Sequence, residues 1–131
     1  MTVLVGYVDT APGNAAYEAA VAEAARRGEP LVVLNSPQGG ALVDKALVGD
    51  ERRAELASVA AAAGVAFELR QPTHHDDLAG AIAAVADEVD ASVVVIGIRR
   101  RSPVGKLFLG SDAQRVLLDL DRPILAVKPR S

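Results

Sequence analysis

Val93-Val94-Val95-Ile96-Gly97-Ile98-Arg99-Arg100-Arg101-Ser102-Pro103-Val104-Gly105-Lys106-Leu107-Phe108-Leu109-Gly110-Ser111 carries the fold in miniature. Four consecutive apolar residues, three of them β-branched valines, read as a strand buried on both faces. Gly97 breaks that run. A loop with Arg99, Arg100, Arg101 and Lys106 and no acid follows, and Gly110-Ser111 opens a helix-like segment from Asp112 to Leu120. A buried strand, a glycine, a basic loop and a helix start together make a place to hold an anion. Backbone N–H groups at a helix start point outward, and the helix dipole favours negative charge there.

The same alternation runs through the rest of the chain. Thr2 to Val8, Pro30 to Leu34, Val65 to Arg70, Ser92 to Ile96 and Pro123 to Val127 read as five strands. Between them, Asn14 to Arg27, Asp50 to Ala63, Asp76 to Val89 and Asp112 to Leu120 read as helices, and Asn35 to Gly49 reads mostly as loop. Gly28 and Gly64 suit helix ends, Asp50 suits an N-cap, and Thr73-His74-His75-Asp76 fits a capping box. Apolar strands joined by helices predict an α/β fold: an open, doubly wound, five-stranded parallel sheet with helices on both faces. Ligands of such folds sit beyond the carboxyl ends of the strands, where the strand order reverses.

Composition bounds the rest. The 131 residues are read as one domain, 1–131, half of them apolar and only 3% aromatic, so Val, Leu, Ile and Ala must build the core. A chain of this size buries roughly two-thirds of its unfolded surface without staples. The absence of cysteine rules out disulfides and thiolate metal sites and fits a cytoplasmic address. A net charge of −3 argues against a nucleic-acid binder. Thr2 to Val8 is too short for a signal peptide, and no apolar run approaches the ~20 residues that span a bilayer, so no membrane role is expected.

The residues quoted so far resemble the universal stress protein family over nearly the full length of the chain. Nucleotide-binding members carry glycine, two residues, glycine, nine residues, then glycine with Ser or Thr. Gly97 matches the first glycine and Gly110-Ser111 the closing pair, while Arg100 stands where the second glycine belongs. Val5-Gly6-Tyr7-Val8-Asp9-Thr10 is similar to the family's first strand, which ends in an aspartate and a small residue. Arg122-Pro123-Ile124-Leu125-Ala126-Val127-Lys128 is similar to its last strand. The resemblance implies strand order 3-2-1-4-5, with the reversal between the strands that end at Asp9 and at Gly97. It also implies an ATP or related adenine-nucleotide site: Asp9 and Thr10 at the nucleoside end, a backbone contact to adenine at Ser36, and Gly97, Gly110 and Ser111 around ribose and phosphates. Leu34-Asn35-Ser36 departs from the family's apolar-His-Val at that point.

Each of these positions also has a plain structural reading. Gly97 would serve as a turn glycine with positive φ. Ser111 would cap its helix, with Gln114 as partner. Asp9 would cap the Asn14 helix or fix a turn. The basic loop would be a solvated face. Against these stands capture of phosphates by Arg99, Arg100 and their neighbours, with Mg²⁺ accompanying the phosphates. Arg100 either clamps phosphates with its fork of donors or fills the hollow that glycine leaves open. Gly105-Lys106 fails as a P-loop, because Arg100 and Leu107 stand where glycine and Ser or Thr are required. His74 and His75, being adjacent, diverge and read as part of a solvated helix start rather than a metal site.

No Ser-His-Asp set, metal cluster or carboxylate pair assembles, and no residue stands out to position a hydrolytic water. The expectation is a binding module with a signalling or stress-response role, with slow ATP hydrolysis as its ceiling. The alternative is a nucleotide-free interaction protein whose crevice Arg100 blocks. The apolar last strand would form a sheet edge, and the resemblance implies a homodimer through it.

Overall fold

The computed structural model describes residues 1–35, 48–71, 78–98 and 111–129. Five strands and four helices alternate: β1 (Thr2–Gly6), α1 (Ala11–Arg27), β2 (Leu31–Leu34), α2 (Asp50–Ala62), β3 (Phe67–Arg70), α3 (Leu78–Val89), β4 (Ala91–Gly97), α4 (Ser111–Asp119) and β5 (Ile124–Val127). The strands form one sheet in the order β3-β2-β1-β4-β5. Every pairing is parallel, with Val5 opposite Val33 on one side and Val95 on the other. The order therefore reverses between β1 and β4.

Strand alternation sorts the apolar side chains into two layers. Val3, Val5, Tyr7, Leu31, Val33, Val93 and Val95 join α1 and α2 in one core. Leu4, Val32, Leu34, Val94 and Ile96 join α3 and α4 in the other. A run such as Val93 to Ile96 is apolar throughout because each face of the sheet is covered. Small residues let α1 lie close to the sheet: Ala16, Ala20 and Ala24 are all buried. Gly28 and Gly64 take left-handed backbone at φ +67 and +74, which closes α1 and the turn after α2.

The strand ends differ from the sequence reading by one or two residues, and three helix starts differ for physical reasons. Helix α1 starts at Ala11, with a proline in its first turn, where a missing N–H costs nothing. Thr10, not Asp9, is its N-cap, and the Thr10 hydroxyl oxygen accepts from the Gly13 amide at 3.2 Å. Helix α2 is capped at Gly49, so Asp50 lies inside its first turn, where an acid favours the helix dipole. Ser111 is the first residue of α4 rather than its cap. The capping box at 73–76 lies outside the described residues.

Candidate functional site

The first turn of α1 sits at the carboxyl ends of β1 and β4, and glycines make room for it. A Cβ on Gly97 would stand 2.2 Å from the Pro12 carbonyl oxygen, and one on Gly13 would stand 1.8 Å from that of Val8. Gly97 lies within β4, and its φ is not in the left-handed region. Its glycine is thus required not by a left-handed turn but by backbone-to-backbone approach of α1 to β4. This corrects the reading of Gly97 as a turn glycine. It also places Gly97 and the Asp9-Thr10 pair on either side of the same helical turn, at the strand reversal.

Two amides of that turn are already used. Gly13 donates to the Thr10 hydroxyl, Asn14 donates to the Thr10 carbonyl at 2.8 Å, and Pro12 has no N–H. Thr10 thus caps its own helix and keeps its hydroxyl proton to donate. Helix α4 begins at Ser111, and the amides of a helix start are where an anion is favoured.

Asp9 ends the β1 segment with its side chain 54% exposed. Its Oδ1 accepts from Asn14 Nδ2 at 3.0 Å, lies 3.4 Å from the Tyr7 hydroxyl and 3.5 Å from Arg52 Nη2. Among the described residues, none holds its second oxygen. The Asp9–Arg52 pair is half exposed and contributes about 0–1 kcal/mol at most, so its weight is in orientation rather than stability.

Behind Asp9 the network runs inward. Arg52 Nε donates to the Tyr7 hydroxyl at 3.0 Å, Arg52 Nη2 donates to Asn14 Oδ1, and the Tyr7 hydroxyl donates to the same oxygen at 2.6 Å. Tyr7 is buried and meets Tyr17 edge-on with ring centroids 5.9 Å apart. Burial raises the Tyr7 phenol above its ordinary pKa, and Arg52 opposes that shift, so the hydroxyl stays protonated at neutral pH.

A second polar knot lies at the ends of β1, β2 and β3. Asn35 is fully buried. Its Nδ2 donates to the Tyr7 carbonyl at 2.9 Å, and its Oδ1 accepts from the Val48 amide at 2.7 Å and from Gln71 Nε2 at 3.0 Å. A buried amide with both ends bonded fixes local geometry, and it costs heavily if one partner goes. The departure from the family pattern at Leu34-Asn35-Ser36 thus has a structural role at Asn35.

Of the residues singled out from sequence, Asp9, Thr10, Gly97 and Ser111 lie in the described structure. Ser36, Arg99, Arg100 and Gly110 lie outside it. Arg52, Asn14 and Tyr7 were missed as site residues: each reads from sequence as a solvated helix charge, a helix start and a strand aromatic. Beside the crevice, between α1 and the end of β5, an open groove of about 490 Å³ is lined by Ala11, Asn14, Glu18 and Lys128 among others. Among the described residues there is no cluster of His, Cys, Asp and Glu fit for a metal ion, and no helix is long and apolar enough to cross a membrane.

Comparison with known proteins agrees with this architecture. The model of the universal stress protein family matches residues 1–128. A universal stress protein from Mycolicibacterium smegmatis is 43% identical over 127 residues, covering 97% of either chain. The structure of a universal stress protein from Archaeoglobus fulgidus superimposes with a TM-score of 0.82 at 32% identity over 98% of both chains. A universal stress protein from the same organism, solved in complex with dAMP, superimposes with a TM-score of 0.74 at 26% identity, again over 98% of both chains.

Proposed function

The chain belongs to the universal stress protein family, and from that premise we propose that it binds an adenine nucleotide at the reversal between β1 and β4. The observation that carries this reading is Asp9: a half-exposed carboxylate whose second oxygen meets none of the described residues, fixed beside the helical turn that Gly97 abuts. A carboxylate accepts from sugar hydroxyls and repels phosphate, so Asp9 faces the nucleoside end. The dAMP bound by the Archaeoglobus fulgidus relative supports the same ligand class.

The ligand we favour is ATP. Thr10 borders its ribose, and the backbone at Ser36 meets adenine. Gly110 and Ser111 hold the phosphates, and Arg99 and Arg100 gather their charge. Mg²⁺ would be held by those phosphates rather than by protein ligands, and would neutralise part of their charge. Nucleotide occupancy then serves as a signal in a cytoplasmic homodimer joined through β5, with neither nucleic acid nor membrane as partner. The chain acts as a binding module in this reading, not as an enzyme.

A thermal-shift titration with ATP, ADP and AMP tests it. A ligand that binds only the native state stabilises it by mass action, by about 2.7 kcal/mol at a hundred times its dissociation constant. The midpoint rises with at least one of the three, and Gly110→Phe removes the rise while the unliganded midpoint stands. No shift with any of them at millimolar concentration overturns the reading in favour of a nucleotide-free interaction protein whose crevice Arg100 closes.

A further inference from the structure

We propose that Arg52, together with Asn14 and Tyr7, is a positioning set that turns Asp9 so that it offers a single oxygen, and that the site therefore reads one sugar hydroxyl rather than the vicinal pair. The proposal rests on the nucleotide reading above.

The bonds form an ordered chain from the core outward. Tyr7 is buried, so its hydroxyl is a fixed point. It accepts from Arg52 Nε and gives its one proton to Asn14 Oδ1. That oxygen also takes Arg52 Nη2. With its carbonyl oxygen thus assigned, the Asn14 amide must turn its NH₂ toward Asp9, and it does so at 3.0 Å from Oδ1. The Arg52 guanidinium stands on the same oxygen at 3.5 Å. The Asn14 hydrogen bond and the Arg52 ion pair both fall on Oδ1, and among the described residues none reaches Oδ2.

A free carboxylate receives a vicinal diol with one hydroxyl on each oxygen. Here Oδ1 is occupied by Asn14 and Arg52, and among the described residues Oδ2 alone is left to receive the sugar. Arg52 is the keystone, because it touches the other three members and alone of the four comes from outside the β1–α1 segment, from α2.

Titration calorimetry with AMP, 2′-deoxy-AMP and 3′-deoxy-AMP tests the idea. In the wild type, one deoxy nucleotide binds within about twofold of AMP and the other about tenfold more weakly, the loss of one charge-assisted hydrogen bond. Arg52→Ala weakens AMP by about tenfold, and the effect disappears in the Asp9→Ala background. A role in general stability would persist there. Should Arg52→Ala unfold, as judged by its urea midpoint, Asn14→Ala carries the same cycle. Equal weakening of both deoxy nucleotides, equal binding of all three, or additivity in the cycle overturns the proposal and leaves nucleotide binding intact. Failure of the wild type to bind any of AMP, ADP and ATP removes the nucleotide reading, and the proposal with it; where only ATP binds, ATP and its 2′- and 3′-deoxy forms carry the same comparison.

Discussion

At the scale of single residues, two glycines of β1 and β4 make a controlled comparison. A methyl on Gly6 would meet the Ile82 Cδ1 at 3.4 Å, an ordinary contact with a flexible side-chain end. A methyl on Gly97 would meet the Pro12 carbonyl oxygen at 2.2 Å and its carbon at 2.5 Å. Backbone cannot give way as a side chain does, so the first turn of α1 must lift off β4. Overpacking of this kind costs about 1–3 kcal/mol, and a backbone clash belongs at the upper end. Gly97→Ala is expected to lower the urea midpoint by a corresponding amount with little change in slope, while Gly6→Ala stays within about 1 kcal/mol of wild type. Equal effects at the two positions would show that α1 does not press on Gly97. The same lift would carry Thr10 and Asp9 with it, so this glycine bears on the candidate site through the packing of α1.

At the scale of elements, α1 is tied to α2 by a buried phenol. The Tyr17 hydroxyl donates to the Leu56 carbonyl, and burial pushes the Tyr17 pKa up to about 12. The sign follows from linkage. The unfolded phenol ionises near 10 and the folded one near 12, so the native state is favoured in full below pH 10 and loses that margin as pH climbs to 12. Two units correspond to about 3 kcal/mol. Tyr7, raised chiefly by its burial, shifts the balance in the same direction. With no tryptophan and only two tyrosines in the chain, tyrosinate absorbance reports these two groups cleanly. It is expected to rise together with loss of the circular-dichroism signal between pH 10 and 12. Independent titration near pH 10 with the fold intact would refute the coupling. These elements also show what the sequence made legible. Runs such as Val93 to Ile96 announce strands because burial on both faces leaves only one kind of residue. Ala11-Pro12-Gly13 hid the start of α1, since Pro and Gly usually break helices, and only the neighbouring Val8 carbonyl explains why Gly13 belongs there. Gly97 and Ser111 could be singled out as candidates because a spacing pattern marks them, and Asp9 because it closes the first strand segment. Arg52 carried no such mark: a cation in the first turn of a charged helix looks solvated until Tyr7, Asn14 and Asp9, 38 to 45 positions away, converge on it.

At the scale of the whole molecule, the two edges of the sheet differ in how they meet water. Edge strand β3 carries Glu68 and Arg70, paired with each other at 2.6 Å, and Arg70 reaches on to Glu88 of α3 at 3.1 Å. Charges of this kind deter a second chain from adding to an edge. Edge strand β5, Ile124-Leu125-Ala126-Val127, has none, and Leu125 is 36% exposed. An uncharged apolar edge with unpaired N–H and C=O groups is a template for pairing, so the asymmetry favours self-association at β5 over β3. Light scattering at micromolar concentration is expected to give about twice the 13.5 kDa chain mass. Leu125→Glu places like charges near each other across the two-fold axis and is expected to shift the mass to that of one chain, whereas Glu68→Gln at the opposite edge leaves it unchanged. A wild-type species of 13.5 kDa alone would remove the pairing. Because β5 lies next to β4, whose carboxyl end faces the crevice, a dimer built on this edge would set two nucleotide sites on either side of one continuous sheet.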